Sequence, residues 1–425
     1  MTDDVCQAEE TDGWSTPPFK FSHDQASGRM YGRGVTDDKG PVMGWINVIQ
    51  AFQSAGVPLP VNLLFCLEGL EEVGSFDLEE ILRSEISKGR EGLLPSFDAV
   101  CISDTYWLGT TKPCLSYGLR GINFFILEIS SGSKVDKHSG LGGTVQEPLN
   151  DLFRIYASMT NENGDINMPG VLELAKPLSE RERTLYQGID YELGAEAKHA
   201  TTMEHLIALW HDPAISFHGI EGAFWGPGGK TIIPGCVKGM DHGFAIMLSA
   251  SYSLLIVKLK CHISDKEAGK FSIRISSTMD PSAVAHAVEA HVANISNALD
   301  TKNTITLTLL GSQRGWQSNP FHWNFEAAEK ATVKVWGTKP DYTREGGTIP
   351  ITRMLADILS NGGRERETDE REKEPTNIML FPMGRADDGA HSTNEKLDLV
   401  NYINGCKAFA WYLNEVGEMF REKRA

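Results

Sequence analysis

Apolar residues at Val42, Trp45, Ile46, Ile49 and Phe52 recur at helical spacing after Gly40-Pro41 and stop at Gly56. The pattern predicts a helix with Pro41 in its first turn, where a missing N–H does no harm. Residues 61–67 form a continuous apolar run that leads into acids, and residues 98–103 repeat the arrangement, with Ala99, Val100, Cys101 and Ile102 before Asp104. Runs without alternation suit strands buried on both faces of a largely parallel sheet. A third run, residues 377–383, precedes Gly384 and the polar stretch 385–392, and residues 397–416 then read as an amphipathic helix. The two ends of the chain therefore share one α/β domain.

The middle of the chain has a different rhythm. Residues 122–130, 270–277 and 304–310 read as strands, and Pro281–Leu299 as a helix, which predicts an inserted α+β domain. Residues 240–269, mostly apolar, and the charge-dense 364–374 fit neither pattern; alternating signs suit a solvated loop for the latter. No internal repeat is present. The expected organisation is a first catalytic segment at 1–120, an insert at 121–318 with an unusual stretch at 240–269, and a second catalytic segment at 319–425.

Composition narrows the possibilities. An apolar fraction of 41% with 23% charged residues suits a globular protein. Lys and Arg number 40 against 57 Asp and Glu, a net charge of -17, which disfavours nucleic acid and anionic membranes as partners because both need a cationic face. Seven scattered cysteines without a Cys-x-x-Cys pair argue against a disulfide framework or thiolate zinc site. The polar, acidic first ten residues resemble neither a signal nor a transit peptide, so the expected address is cytoplasmic. The apolar run at 244–257 is shorter than the roughly 20 residues that span a bilayer.

Glu71, Glu72, Asp104 and His391 each follow an apparent strand within a few residues. Open α/β sheets bind ligands beyond the carboxyl ends of their strands. Carboxylates and imidazole are the donors that hard or borderline divalent cations prefer, and a pair of cations needs a bridging carboxylate. Asp37, in Gly34-Val35-Thr36-Asp37-Asp38-Lys39-Gly40, is the bridging candidate. Taken singly, each acid also reads as a solvated carboxylate, Glu71-Glu72 as a helix cap, and His391 as a structural hydrogen-bonding histidine.

The set changes those odds. Tyr31-Gly-Arg-Gly-Val-Thr-Asp37-Asp-Lys-Gly-Pro41 and Glu68-Gly-Leu-Glu71-Glu72-Val-Gly-Ser75 are followed by Ser103-Asp104-Thr-Tyr-Trp107, Tyr117-Gly-Leu-Arg-Gly121, His138-Ser-Gly140, His218-Gly-Ile-Glu-Gly222, Arg344-Glu-Gly-Gly-Thr348 and Ala386-Asp-Asp-Gly-Ala-His391-Ser392. In this order they resemble the two-metal family of cytosolic nonspecific dipeptidase and carnosine dipeptidase. The resemblance implies a mixed, largely parallel catalytic domain flanked by helices, with an inserted α+β lid and dimerisation domain. It implies two divalent ions, Zn2+ or Mn2+, bridged by Asp37, with Asp104 completing one site and Glu72 with His391 the other. Glu71 matches the general base for a metal-activated water. His138 matches a histidine that completes the active site of the other subunit of a homodimer. Thr231, Arg274 and Thr348 match substrate contacts, Arg274 being suited to clamp a dipeptide's free carboxylate.

One departure stands out. Asp4 matches an aspartate that orients a metal-binding histidine, yet Thr2 stands where that histidine is expected, and the chain reads as N-terminally truncated relative to the family. The leading expectation is hydrolysis of dipeptides of Xaa-Gly or Cys-Gly type. The alternatives are a noncatalytic relative that partners a complete paralogue, or an N-acyl amino acid hydrolase on the same fold.

Overall fold

The computed structural model describes residues 8–73, 75, 77–92, 94, 97–133, 135–189, 191–195, 197–220, 229–237, 268–362 and 376–422. Thr2, Asp4 and the stretches 240–267 and 364–374 lie outside the described residues. The elements in chain order are β1 (Ser22–Asp24), β2 (Arg29–Tyr31), α1 (Lys39–Ser54), α2 (Leu78–Ser87), β3 (Ala99–Ile102), β4 (Cys114–Leu119), β5 (Gly121–Ser130), β6 (Lys137–His138), α3 (Pro148–Met159), α4 (Glu180–Gln187) and α5 (Thr202–Trp210). There follow β7 (Ala214–Ile220), β8 (Ile232–Ile233), β9 (Cys236–Val237), β10 (Ala268–Ile275), α6 (Pro281–Leu299), β11 (Thr304–Gln313), β12 (Trp316–Gln317), α7 (Trp323–Trp336), β13 (Asp341–Glu345), α8 (Pro350–Gly362), β14 (Asn377–Leu380), β15 (Lys396–Asp398) and α9 (Leu399–Glu422). None of the described helices is long and apolar enough to cross a membrane.

The chain forms two compact units, and both are discontinuous in sequence. The first comprises Met1–Leu119, Leu178–Trp210 and Trp316–Ala425; the second comprises Arg120–Pro177 and His211–Gly315. Segment Leu178–Trp210, carrying α4 and α5, thus groups with the first unit, although the expected boundaries at 121 and 318 enclose it in the insert. Its attachment has a physical cause. Glu182 on α4 pairs with the buried Arg344 on β13, and Tyr186 and Trp210 pack edge to face in the same core.

In the first unit a mixed sheet runs in the order β12-β4-β14-β3, with β13 also on β4. The pairs β14–β3 and β13–β4 are parallel, whereas β12–β4 and β14–β4 are antiparallel. Helices α1 and α9 seal it through Trp45, whose ring stacks on Phe409 at 4.1 Å, while Phe381 meets Phe409 edge to face. Each large ring buried in this way contributes roughly 1.5–3 kcal/mol. A second, three-stranded sheet, β1-β2-β15, joins residues near both ends of the chain by pairing Met30 with Leu397.

The second unit is an antiparallel sheet in the order β11-β5-β10-β7, with α3 and α6 against it. On β5 the residues Phe125, Leu127 and Ile129 face inward at a period of two, and they meet Phe271 and Ile273 of β10 in the core. Helix α6 begins where the sequence signals it: the Asp280 side chain accepts from the Ser282 amide, and Pro281 takes the first turn.

One element departs from the pattern. Residues 61–67 form no strand and pair with none of the described strands, and Leu64, Phe65 and Leu67 are exposed at 53%, 40% and 62%. Within the run, Val61 and Leu63 pack against the core, as does Leu59 just before it. An apolar run specifies a strand only when neighbouring backbones supply the hydrogen bonds, and periodicity carries no record of those neighbours.

Candidate active site

The loop between β2 and α1 carries Asp37. It turns sharply because Gly34 adopts a φ of +82°, and Gly40 enters α1 so tightly that a Cβ would fall 2.1 Å from the Val35 carbonyl oxygen. The Asp37–Asp38 peptide is cis. Glu71 and Glu72 lie in a short 3-10 turn, Glu71–Val73, whose surrounding segment is closed by two bonds: the Ser75 amide donates to the Leu70 carbonyl at 2.8 Å, and the Ser75 hydroxyl donates to Glu68 Oε1 at 2.7 Å. Asp104 follows β3, and its neighbour Ser103 accepts the Trp45 indole N–H at 3.0 Å, which anchors the strand end to α1. His391 sits in the loop after β14 with a left-handed φ of +58°, a conformation more common for His, Asn and Asp than for other non-glycine residues.

These side chains converge. His391 Nε2 is 2.9 Å from Asp37 Oδ2 and 3.2 Å from Glu72 Oε2, with the two carboxylates mostly buried and the imidazole exposed. One ligand atom from each lies within 4.8 Å of the others, a span suited to a single cation. Asp104 belongs to the same cluster: its carboxyl is held well above the usual carboxylate range by burial and by the charges of Asp37, Glu71 and Glu72, and it hydrogen-bonds Asp37. Tyr106 is likewise pushed up, by burial and then by Asp37, Asp104, Asp38 and Glu395. Hydrogen bonds that it donates to the Asp37 and Glu72 carboxylates push the His391 imidazole up to about 10. Four carboxylates and one imidazole therefore crowd together with more negative charge than their own protons comfortably neutralise. That donor set and that electrostatic deficit fit divalent cations.

A second acidic group, Asp387, Asp388 and Asp398, has similar spacing but different company. The Lys396 ammonium already lies 3.1, 2.6 and 3.0 Å from these three carboxylates, so the cluster is a neutralised network.

Of the expected substrate contacts, His138, Thr231 and Arg274 belong to the second unit and Thr348 to the first. His138 and Thr231 are neighbours in the second unit, where β6 pairs with β8, the Ser139 amide donates to the Thr231 carbonyl at 3.0 Å, and His138 Nδ1 accepts from Gly140. Arg274 is on β10 of that unit, its Nη1 buried without a partner and its guanidinium pKa lowered by burial. Thr348 follows β13 in the first unit. Asp4, expected to orient a ligand, lies outside the described residues.

Sequence reasoning missed the residues beneath the cluster. Glu395 is fully buried, and Arg33, Thr36, Asp388 and Lys396 are nearly so. The run Asn394-Glu395-Lys396, three residues after His391, was the available signal, since charges interleaved with a buried strand seldom lie inside a protein without partners. His218, in the sequence one member of a motif, has its Nε2 2.7 Å from the Ser272 hydroxyl and its pKa lowered by burial and by Arg274.

Known proteins are similar to this chain in sequence and fold. The Cys-Gly metallodipeptidase dug1 of Schizosaccharomyces pombe is 41% identical over 98% of this chain and 79% of its own length. The solved structure of the dipeptidase Dug1p from Saccharomyces cerevisiae superposes with a TM-score of 0.78 at 40% identity, covering 98% of this chain and 78% of that one. Human carnosine dipeptidase 1 superposes with a TM-score of 0.76 at 34% identity, over 98% and 78%. The family model described as peptidase family M20/M25/M40 matches residues 2–415, and the chain belongs to that family.

Proposed function

We propose that this chain hydrolyses the peptide bond of dipeptides, with Xaa-Gly or Cys-Gly as the preferred class. The observation that carries the reading is the convergence of Asp37, Glu71, Glu72, Asp104 and His391, residues drawn from four separate loops, into one charge-crowded cluster. Metallopeptidases of the M20 family are hydrolases that use divalent metal ions. In this chain Asp37 would bridge two such ions, Zn2+ or Mn2+, with Asp104 on one and Glu72 and His391 on the other. Bound there, the ions supply Lewis acidity, polarising the scissile carbonyl and lowering the pKa of water toward neutrality.

The protein's own groups do the rest. Glu71, in its 3-10 turn, takes a proton from the attacking water and delivers it to the amine nitrogen as the C–N bond breaks, a transfer that itself restores the carboxylate. Arg274 presents a planar pair of N–H donors to the substrate's free carboxylate, and Thr348 and Thr231 add hydroxyl contacts. A clamp on the free carboxylate favours very short peptides, whose C-terminus lies close to the scissile bond. His138 completes the site of the other subunit in a homodimer by donating to the developing oxyanion. The setting is cytoplasmic.

The test is a panel of dipeptides, among them cysteinyl-glycine, offered to protein loaded with Zn2+ or Mn2+ and to protein stripped by chelator. Hydrolysis of free dipeptides by the loaded form alone, with substrates amidated at the C-terminus turned over poorly, is the expected outcome. Equal turnover of the amidated series, or preference for N-acyl amino acids, contradicts the reading.

A further inference from the structure

The buried carboxylate of Glu395 has an unusual set of neighbours. Oε1 accepts the backbone amides of Thr36 at 2.9 Å and Asp37 at 3.1 Å, while Oε2 accepts the Gly34 amide at 2.9 Å and Arg33 Nη1 at 2.9 Å. Its own carbonyl accepts from the Gly32 amide at 3.2 Å. The loop that carries Asp37 is therefore wound around one anion belonging to the loop that carries His391. A second link runs in parallel: the Thr36 hydroxyl donates to Asp388 Oδ2 at 3.0 Å, and that oxygen also accepts the Arg385 amide at 2.9 Å. Asp388 is in turn held by Lys396 Nζ at 2.6 Å.

We propose that Glu395 is a positioning residue for the metal cluster, fixing Asp37 relative to His391 so that the two ligands are set before a cation arrives. The inference rests on the reading of Asp37 and His391 as ligands. It explains an otherwise costly arrangement, since a fully buried carboxylate is tolerated only when every lone pair is matched. All the matched donors but one are backbone amides of the single loop that ends at Asp37, and the exception, the Arg33 guanidinium, also belongs to it. Any tilt of Glu395 thus moves Asp37, whose carboxylate is only 2.9 Å from His391.

The chemistry of the pocket makes Glu395→Gln a stringent probe. Every group facing the carboxylate is a donor, so neither orientation of a glutamine amide avoids setting its NH2 against N–H groups. The variant also removes a charge, so Thr36→Val, which cuts only the hydroxyl link to Asp388, separates positioning from through-space electrostatics. Zn2+ and Mn2+ affinities are measured by competition with a chromophoric chelator for the parent, Glu395→Gln, Thr36→Val and Asp37→Asn, alongside kcat and KM for a dipeptide at saturating metal. Phe271→Ala, a core change in the second unit, serves as a destabilised comparator.

Glu395→Gln is expected to bind metal roughly 10- to 100-fold more weakly, as loss of a residue supporting a ligand commonly does. Its kcat falls while KM stays near the parental value, and Thr36→Val follows in the same direction with a smaller change. Phe271→Ala lowers Tm and leaves metal affinity alone. Parental metal affinity in folded Glu395→Gln, together with its loss in Asp37→Asn, overturns the positioning role while leaving the ligand assignment standing. If Glu395→Gln does not fold, Arg33→Met, measured in the same way, decides, because it removes one of the four donors to the Glu395 carboxylate, and unchanged metal affinity there overturns the proposal. Parental affinity in Asp37→Asn removes the ligand assignment itself, and the proposal with it.

Discussion

Replacing Glu345 by Gln should stabilise the first unit, and by an amount that grows with pH. Glu345 ends β13, where burial pushes its carboxyl from an ordinary 4.5 up to about 8, against a weak opposing contact from the Ser116 hydroxyl at 3.4 Å. Below pH 4.5 the group is protonated in both folded and unfolded chains and has no effect. As pH rises from 4.5 toward 8 the unfolded chain gives up its proton first, so stability falls across that window and levels off above it. A gap of roughly 3.5 pH units at 1.36 kcal/mol each sets an upper bound of about 5 kcal/mol. The side chain retains partial solvent access, and screening reduces the expected figure to about 2 kcal/mol. Glutamine is neutral throughout and keeps an oxygen for Ser116. Thermal unfolding of parent and variant between pH 5 and 9 should show the variant's advantage widening to roughly 4–8 °C by pH 8.5, by the usual relation between free energy and Tm for a unit of this size. An advantage constant with pH, or one that grows toward acid, would refute the reasoning.

Three further outcomes follow from the packing and the charges. Arg344→Met removes one partner of a pair whose side chains are 2% and 16% exposed, leaving Glu182 against Tyr117 and Gln317; urea unfolding should register a loss of about 3–5 kcal/mol. Phe271→Ala opens a cavity between Phe125, Tyr156 and Phe217 and should lower the second unit's transition by about 3–5 kcal/mol, read by calorimetry. Removing metal by chelation should lower the first unit's Tm relative to protein held at a hundredfold excess over Kd, where binding contributes about 2.7 kcal/mol; a Tm insensitive to chelator would mean that no cation binds the folded cluster.

Much of the fold is legible in the chain. Helix α6 carries its own start in Asp280-Pro281, β5 its alternation, and β3 its apolar run before Asp104. Residues 61–67 carry the same kind of signal and form no strand, because a strand is a relation between backbones that local composition does not encode. Segment Leu178–Trp210 returns to the first unit through Glu182 and Arg344, 162 positions apart, a pairing invisible to any local window. The site is divided in the same way. Asp104 and His391 are marked by their places after strands, and Asp37, Glu71 and Glu72 by the order of their motifs. The Glu395 clamp is not, since a buried carboxylate and an exposed one look alike until the amides of Gly34, Thr36 and Asp37 are seen around it.

The central claim is that Glu71 moves the proton while Asp37, Glu72, Asp104 and His391 hold the cations. Metal content and kcat measured on one preparation of Glu71→Gln separate those roles. The account predicts parental metal stoichiometry, parental KM and a kcat for a dipeptide lower by roughly 10²- to 10⁴-fold, the usual contribution of a general base. Near-parental kcat would contradict the assignment of Glu71, and loss of metal along with activity would make it a ligand instead.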